Sequence, residues 1–185
     1  MIGEFFRALF QAGIPVAITS FLLVWWAQKN GYINTVSGLK EFESEVKNLS
    51  KAKSKNKKKK KDGTDEADLV DIHQMNPVHN KWLSFGGGFY GVVGLLTYVV
   101  VELGEIRDFI RQFDGLSSLI EDITPQLIIG LFIDSIKNFV VAIAWPVYWL
   151  SDIRSDYIWI WFVVAYLGYW AGSRYALSQT HQNKS

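Results

Sequence analysis

Long apolar segments alternate with polar ones along this chain of 185 residues. The first apolar segment runs from Ala8 to Gln28 and carries no charged side chain. An α-helix of that length rises about 30 Å, which matches the hydrocarbon core of a bilayer. The pattern predicts that residues 1–28 form a short tail and a first transmembrane helix. A cleaved signal peptide is the alternative, which the bulky pair Trp25-Trp26 at the end of the segment disfavours.

The second half of the chain predicts a membrane domain over residues 81–185. Its apolar segments predict transmembrane spans near residues 83–101, 126–150 and 157–173. Residues 102–124 are amphipathic and predict a helix on the membrane surface. The predicted fold class is therefore an all-α membrane protein, a small polytopic bundle with about four transmembrane helices. Since the segment 126–150 contains charged residues, the alternative is that it re-enters the membrane and leaves three spans.

Residues 29–80 are polar and predict a charged loop that is first partly helical and then disordered. Its helical part carries apolar residues at spacings of three, four and three, which are Leu39, Phe42, Val46 and Leu49. This stripe is compatible with a short coiled coil, an amphipathic helix on the membrane surface, or a solvated extension of the first helix. The run Lys51–Lys61 and the acidic residues after it bury little apolar surface, which predicts disorder.

The lysine run also predicts the orientation, because positive loops stay on the cytoplasmic side. The loop 29–80 is then cytoplasmic in the cell membrane, with a bacterial inner membrane as the expected location. Four spans place the C-terminus outside, and three spans place it inside. Besides the lipid bilayer itself, anionic lipid or an acidic partner is an expected contact of the lysines, which are Lys57, Lys58, Lys59, Lys60 and Lys61. Nucleic acid is not expected, because the run has no interleaved aromatic residues for base stacking.

Small residues four positions apart predict two faces for helix–helix packing in the membrane. In the second span these are Ser84 with Gly88 and Gly87 with Gly91. In the last span the pair is Gly168 and Gly172. Such faces let helix backbones approach closely, either within the chain or in contact with another subunit.

Three polar residues, Asp134, Lys137 and Asn138, lie in the middle of the third apolar segment. A single Asp or Lys at a helix centre costs about 2.5–3.5 kcal/mol on insertion into a membrane. Asp134 and Lys137 are three residues apart and can form an ion pair that lowers this cost. Ionisable residues within a span generally mark a functional site, so these residues are the candidate site.

Composition excludes some chemistry. The chain has no cysteine, which excludes disulfides and thiolate catalysis. His73 and His79 flank a proline and make a poor pair of metal ligands, so neither a metal nor a cofactor is predicted. No nucleotide-binding, zinc-protease or nucleophile motif is present, and the chain is not expected to be an enzyme.

These features predict an accessory, assembly or scaffold subunit of a membrane complex, in contact with other membrane subunits or with a second copy of itself. The alternative is a component of a small ion or solute transporter or channel. In that alternative, Asp134 and Lys137 line a polar path through the membrane.

Overall fold

A computed structural model describes residues 1–33, 38–62, 76–111 and 124–182. These residues form helices and short connections, and no strand occurs among them. The all-α prediction is therefore confirmed. The helices are α1 (Ile2–Ala8), α2 (Ile14–Lys29), α3 (Leu39–Asp62), α4 (Pro77–Ser84), α5 (Gly88–Arg111), α6 (Pro125–Ile143), α7 (Trp145–Asp152) and α8 (Ile158–Gln182).

Two helical segments of the described chain, Ile2–Lys29 and Gly88–Asp108, are long and apolar enough to cross a membrane. The first of them is continuous and includes the predicted tail, which is helical from Ile2. Helix α8 is not one of the two. Its many Trp and Tyr residues add little hydropathy, although such residues are common at membrane interfaces. Membrane character is supported by length and composition for two of the predicted four spans.

The first segment contains a π-helical turn, Leu9–Gly13, between α1 and α2. Pro15 lies in the first turn of α2. Because proline has no N–H and its ring crowds the carbonyl group four residues earlier, it disturbs the regular α-helical pattern there. The wider π turn immediately before Pro15 accommodates that disturbance without ending the helix.

The predicted span 83–101 is interrupted by three consecutive glycines. Gly86, Gly87 and Gly88 have φ angles of 97°, 66° and 52°, a region that favours glycine. The long apolar helix therefore begins at Gly88, where α5 starts, and not at residue 83. Helix α5 continues to Arg111 and includes residues 102–111 of the segment 102–124 that the sequence predicts as a separate surface helix. Within residues 102–111, the amphipathic pattern marks which sides of one long helix are polar.

The predicted span 126–150 consists of two helices, α6 and α7, that run in opposite directions along α5. The Tyr98 hydroxyl lies 3.2 Å from the Ser135 hydroxyl of α6. One residue away, the indole N–H of Trp149 in α7 donates to the Thr97 hydroxyl at 2.8 Å. Ser135 and Trp149 therefore lie at the same level of α5, and the chain turns back between them. The segment 126–150 is therefore two helices and not one continuous helix.

Pro146 explains why the chain turns between α6 and α7. It lies in the first turn of α7, where a missing N–H breaks no helical hydrogen bond. The break leaves the Ile143 carbonyl at the end of α6 without its usual helical partner. The Tyr90 hydroxyl of α5 donates to this carbonyl and so ties the turn to α5.

Helix α8 runs parallel to the continuous helix formed by α1 and α2. A side chain on Gly168 would overlap the carbonyl of Gly13, and a side chain on Gly172 would overlap that of Ala17. Both contacts advance by four residues in the same direction, which fixes the parallel orientation. The end of α8 therefore lies on the same side of the bundle as Lys29.

Helix α3 packs against the end of the bundle through the predicted apolar stripe. Phe42 is buried and stacks on Trp82 of α4, with ring centroids 6.2 Å apart. Val46 is also buried and lies against Gly87. The Tyr169 hydroxyl of α8 donates to the Glu43 carboxylate at 3.1 Å. The stripe is thus covered by other helices of the same chain.

Helix α3 continues through the lysine run as far as Asp62, where the sequence predicts disorder. Lysine and alanine are good helix formers, and the first glycine after the start of α3 is Gly63. A prediction of disorder from low hydrophobicity alone therefore misses the helix that these residues form. The acidic part of the loop, residues 63–75, lies outside the described ranges.

Candidate functional site on helix α6

Asp134 and Lys137 form an ion pair on the outside of the bundle. The ammonium nitrogen of Lys137 lies 2.9 Å from a carboxylate oxygen of Asp134. The side chains are 43% exposed for Asp134 and 68% exposed for Lys137. They are one helical turn apart, so the pair forms within α6 and needs no other element. The two charges do not face the interior of the described bundle.

Asn138 and Ser135 face α5. Asn138 is buried, and its amide donates to the Glu105 carboxylate at 2.7 Å. Ser135 contacts Tyr98, as described above. The predicted polar residues of this segment are therefore divided between two environments. Asn138 holds α6 to α5, whereas Asp134 and Lys137 remain available on the outer side.

Large apolar side chains surround the exposed ion pair. Between about two fifths and two thirds of each is exposed, and they follow helical spacing along α6. We call them, together with Gly130, Asp134 and Lys137, the α6 surface; the apolar members are Ile129, Phe132, Ile133, Ile136, Val140 and Ile143. The α6 surface is thus an apolar helix face with one pair of opposite charges at its centre.

The predicted packing glycines lie in two different places. Gly168 and Gly172 lie against the backbone of the first helix, as described above. Gly91 lies against Trp82 of α4, where a side chain would meet the Trp82 carbonyl at 2.9 Å. Gly87 lies beneath Val46 of α3. The glycines of the second segment therefore serve the packing of α3 and α4.

The remaining predicted positions lie at the ends of helices. Ser84 ends α4, and its hydroxyl donates to the Asn80 carbonyl at 2.9 Å. Gly88 begins α5 near the Tyr169 hydroxyl. The five lysines lie in the last turns of α3, beyond the side chains that the structure describes: Lys57, Lys58, Lys59, Lys60 and Lys61.

His79 is buried, although the sequence suggests a loop histidine. Only 1% of the residue is exposed, and its Nε2 lies 3.0 Å from the Leu23 carbonyl. A carbonyl only accepts, so Nε2 carries the proton. The rings of Trp26, Tyr32 and Trp82 surround the imidazole with centroids 5.1–6.0 Å away. Burial lowers the pKa of His79, and the hydrogen bond to Leu23 opposes this only in part.

We expect this histidine to make stability depend on pH. The pKa of His79 is below its ordinary value of 6.5 in the folded chain, so the unfolded chain binds the proton first. The free energy of unfolding should therefore be highest above pH 6.5 and fall as the pH drops towards the pKa of the folded state. Urea unfolding in detergent between pH 8 and pH 5 measures this.

The matched control for this prediction is His79→Phe, which keeps a ring but does not titrate. The variant should lose the part of the pH dependence that His79 contributes. If the variant and the original chain give parallel curves, His79 does not carry the effect.

Some contacts of this region are not predicted by the sequence analysis. Gly13 and Ala17, which receive α8, are small residues four apart in the first segment, and that spacing was a usable signal. Glu105 has no comparable signal, because it belongs to a segment in which charges recur on the helix surface. Within the described ranges, no group of three His, Asp or Glu residues is placed to hold a metal ion.

Comparison with known proteins identifies no relative. No protein-family model, no curated protein and no solved structure matches this chain. The function has to be inferred from the contacts within the chain itself.

Proposed function

We propose that this protein is a multi-pass protein of the bacterial inner membrane and serves as an accessory, assembly or scaffold subunit of a membrane complex. The observation that carries the proposal is the exposed ion pair of Asp134 and Lys137 in the apolar α6 surface. Charged groups facing lipid are costly, and they generally face protein or water. A neighbouring subunit that covers the α6 surface removes them from the lipid.

We propose three membrane crossings, with α6 and α7 as a re-entrant hairpin. The crossings are the continuous helix of α1 and α2, then α5, then α8. The parallel orientation of α2 and α8 supports this count, because two parallel crossings end on the same side. If the lysine run is cytoplasmic, the C-terminus is cytoplasmic too, and Arg174 joins the positive side.

A transport role is less well supported by the contacts. The interior of the described bundle holds aromatic rings from α5, α7 and α8, which are Phe89, Trp145, Phe162 and Tyr169. A cavity of about 50 Å³ beside them is lined by apolar residues such as Val16, Val93 and Leu96. Rings and largely apolar walls offer an ion few ligands, and the ion pair lies on the outer side.

Photo-crosslinking in native membranes tests the subunit proposal. We expect a benzophenone amino acid at Phe132, which is 68% exposed, to crosslink to protein in a defined complex. The matched control is the same amino acid at Val163, which is 49% exposed and belongs to a different helix, α8. A chain that crosslinks to no protein at Phe132 and purifies as a monomer in gentle detergent would contradict the proposal.

A further inference from the structure

The charges of the α6 surface complement a second copy of the same surface. Two copies in one membrane share an orientation, so their α6 helices meet in parallel. In a two-fold interface, a residue that contacts a position of the partner is itself contacted by that position. Parallel helices bring a residue near the residue three positions later on the partner, as in coiled coils. Asp134 then meets Lys137 of the second copy, and Lys137 meets its Asp134.

We propose that two copies of this chain pair through their α6 surfaces, with Asp134 of each copy bonded to Lys137 of the other. This inference rests on the proposed subunit role and names the subunit that covers α6. The four charges alternate in sign, so each carboxylate lies between two ammonium groups. Lysine and aspartate are thereby removed from lipid, where an uncovered charge is costly.

Gly130 allows the two helices to approach closely. It lies four residues before Asp134, on the same side of α6, and no atom lies within 4 Å of the position a side chain would take. Apolar burial drives helices together only weakly in lipid, where close packing and polar contacts are what hold them. Ile133, which is 46% exposed, lies beside this opening and supplies the packing contact.

Charge variants test the pairing directly. Asp134→Lys leaves two positive charges on α6, and Lys137→Asp leaves two negative charges. Each variant repels its own copies, but the two variants attract each other. Two copies with different tags are expressed together, and capture of one through the other is measured in gentle detergent. We expect the original chain to be captured, and each single variant to be captured at least tenfold less. When the two variants are expressed together, we expect capture to return to the level of the original chain.

The mixture separates pairing between copies from the helix's own stability. Neither variant can form the ion pair within its own α6, so recovery requires contact between chains. The proposal would be overturned if the single variants were captured as well as the original chain, or if the mixture of variants were captured no better than the single variants. The amount of each variant in the membrane, measured at the same time, shows whether it is inserted.

A cysteine scan provides a second test that keeps the charges. The chain has no cysteine, so single replacements give unambiguous disulfides between copies. We expect crosslinked dimers for cysteine at Ile129, Ile133 and Val140 and none at Val163 or Leu167 of α8. Dimers at the α8 positions alone would place the contact elsewhere and overturn the proposal.

The same membranes distinguish failure of this inference from failure of the subunit role. If Phe132 crosslinks to another protein and no dimer forms through α6, the subunit role stands and the pairing fails. If the chain is a monomer without crosslinks, both fail. Gly130→Leu should also weaken capture, whereas Gly104→Leu on α5, where a side chain likewise meets no atom within 4 Å, should not.

Discussion

Replacing Gly172 with alanine should force α8 away from the first helix. A side chain at this position would overlap the carbonyl oxygen of Ala17, and a backbone atom inside a helix cannot move aside cheaply. Overpacking of this kind costs about 1–3 kcal/mol and occasionally more. We expect the free energy of unfolding to fall by at least that much, measured by denaturant titration in detergent. Gly168→Ala should act in the same direction, because its side chain would overlap Gly13.

The matched control is Gly104→Ala on α5. That position is also helical, and an added side chain there meets no atom within 4 Å. Alanine favours the helix over glycine by up to about 1 kcal/mol, so this variant should be unchanged or slightly more stable. If Gly172→Ala unfolds like the control, α8 and α2 are not in the close contact described.

The glycine contacts show what residue spacing can predict and what it cannot. Spacing of four residues marks Gly168 and Gly172 as small positions on one helix face, but it does not choose the partner. That choice depends on which other helix offers a small face, here Gly13 and Ala17. In the second segment, glycines also occur four residues apart, but three of them are consecutive. These three adopt positive φ and separate α4 from α5.

The sequence predicts which residues form the candidate site, but it does not predict which way their side chains face. Asp134, Lys137 and Asn138 follow helical spacing, and the sequence predicts them as one polar group. The structure separates them because Asn138 reaches Glu105 of α5 while the other two pair with each other. Glu105 is more than thirty residues away in sequence, and contacts over that distance arise from packing, not from local pattern.

The turn after α6 had a local cause that hydropathy alone hides. Pro146 stands among apolar residues, so the segment 126–150 reads as one continuous span. Helix α6 ends at Ile143, and α7 begins at Trp145 with the proline in its first turn. A proline within a long apolar segment is therefore a reason to expect a break between two helices there.

Helix α3 also illustrates the limit of local pattern. The spacing of Phe42 and Val46 predicts an apolar stripe, but it leaves open whether lipid, water or protein covers it. In the structure, α4 and the glycine turn cover the stripe. The Ser50 hydroxyl donates to the Leu83 carbonyl at 3.0 Å and fixes the position of α3 along α4. The lysine run begins directly after this contact.

Phe42→Ala should release α3 from the bundle. Phe42 is fully buried and stacks on Trp82 with an angle of 19° between the rings. Loss of a buried phenylalanine side chain costs about 3–5 kcal/mol. We expect amide hydrogen exchange in residues 39–50 to accelerate strongly, while α2 and α8 remain protected.

Two further variants show whether the lost packing is the cause. Phe42→Leu retains apolar volume and should accelerate exchange in α3 much less. Lys47→Ala changes an exposed position of the same helix and should leave exchange unchanged. Unchanged exchange in Phe42→Ala would mean that α3 is not held by this contact. Accelerated exchange throughout α2 and α8 would mean instead that α3 and the membrane helices unfold as one unit.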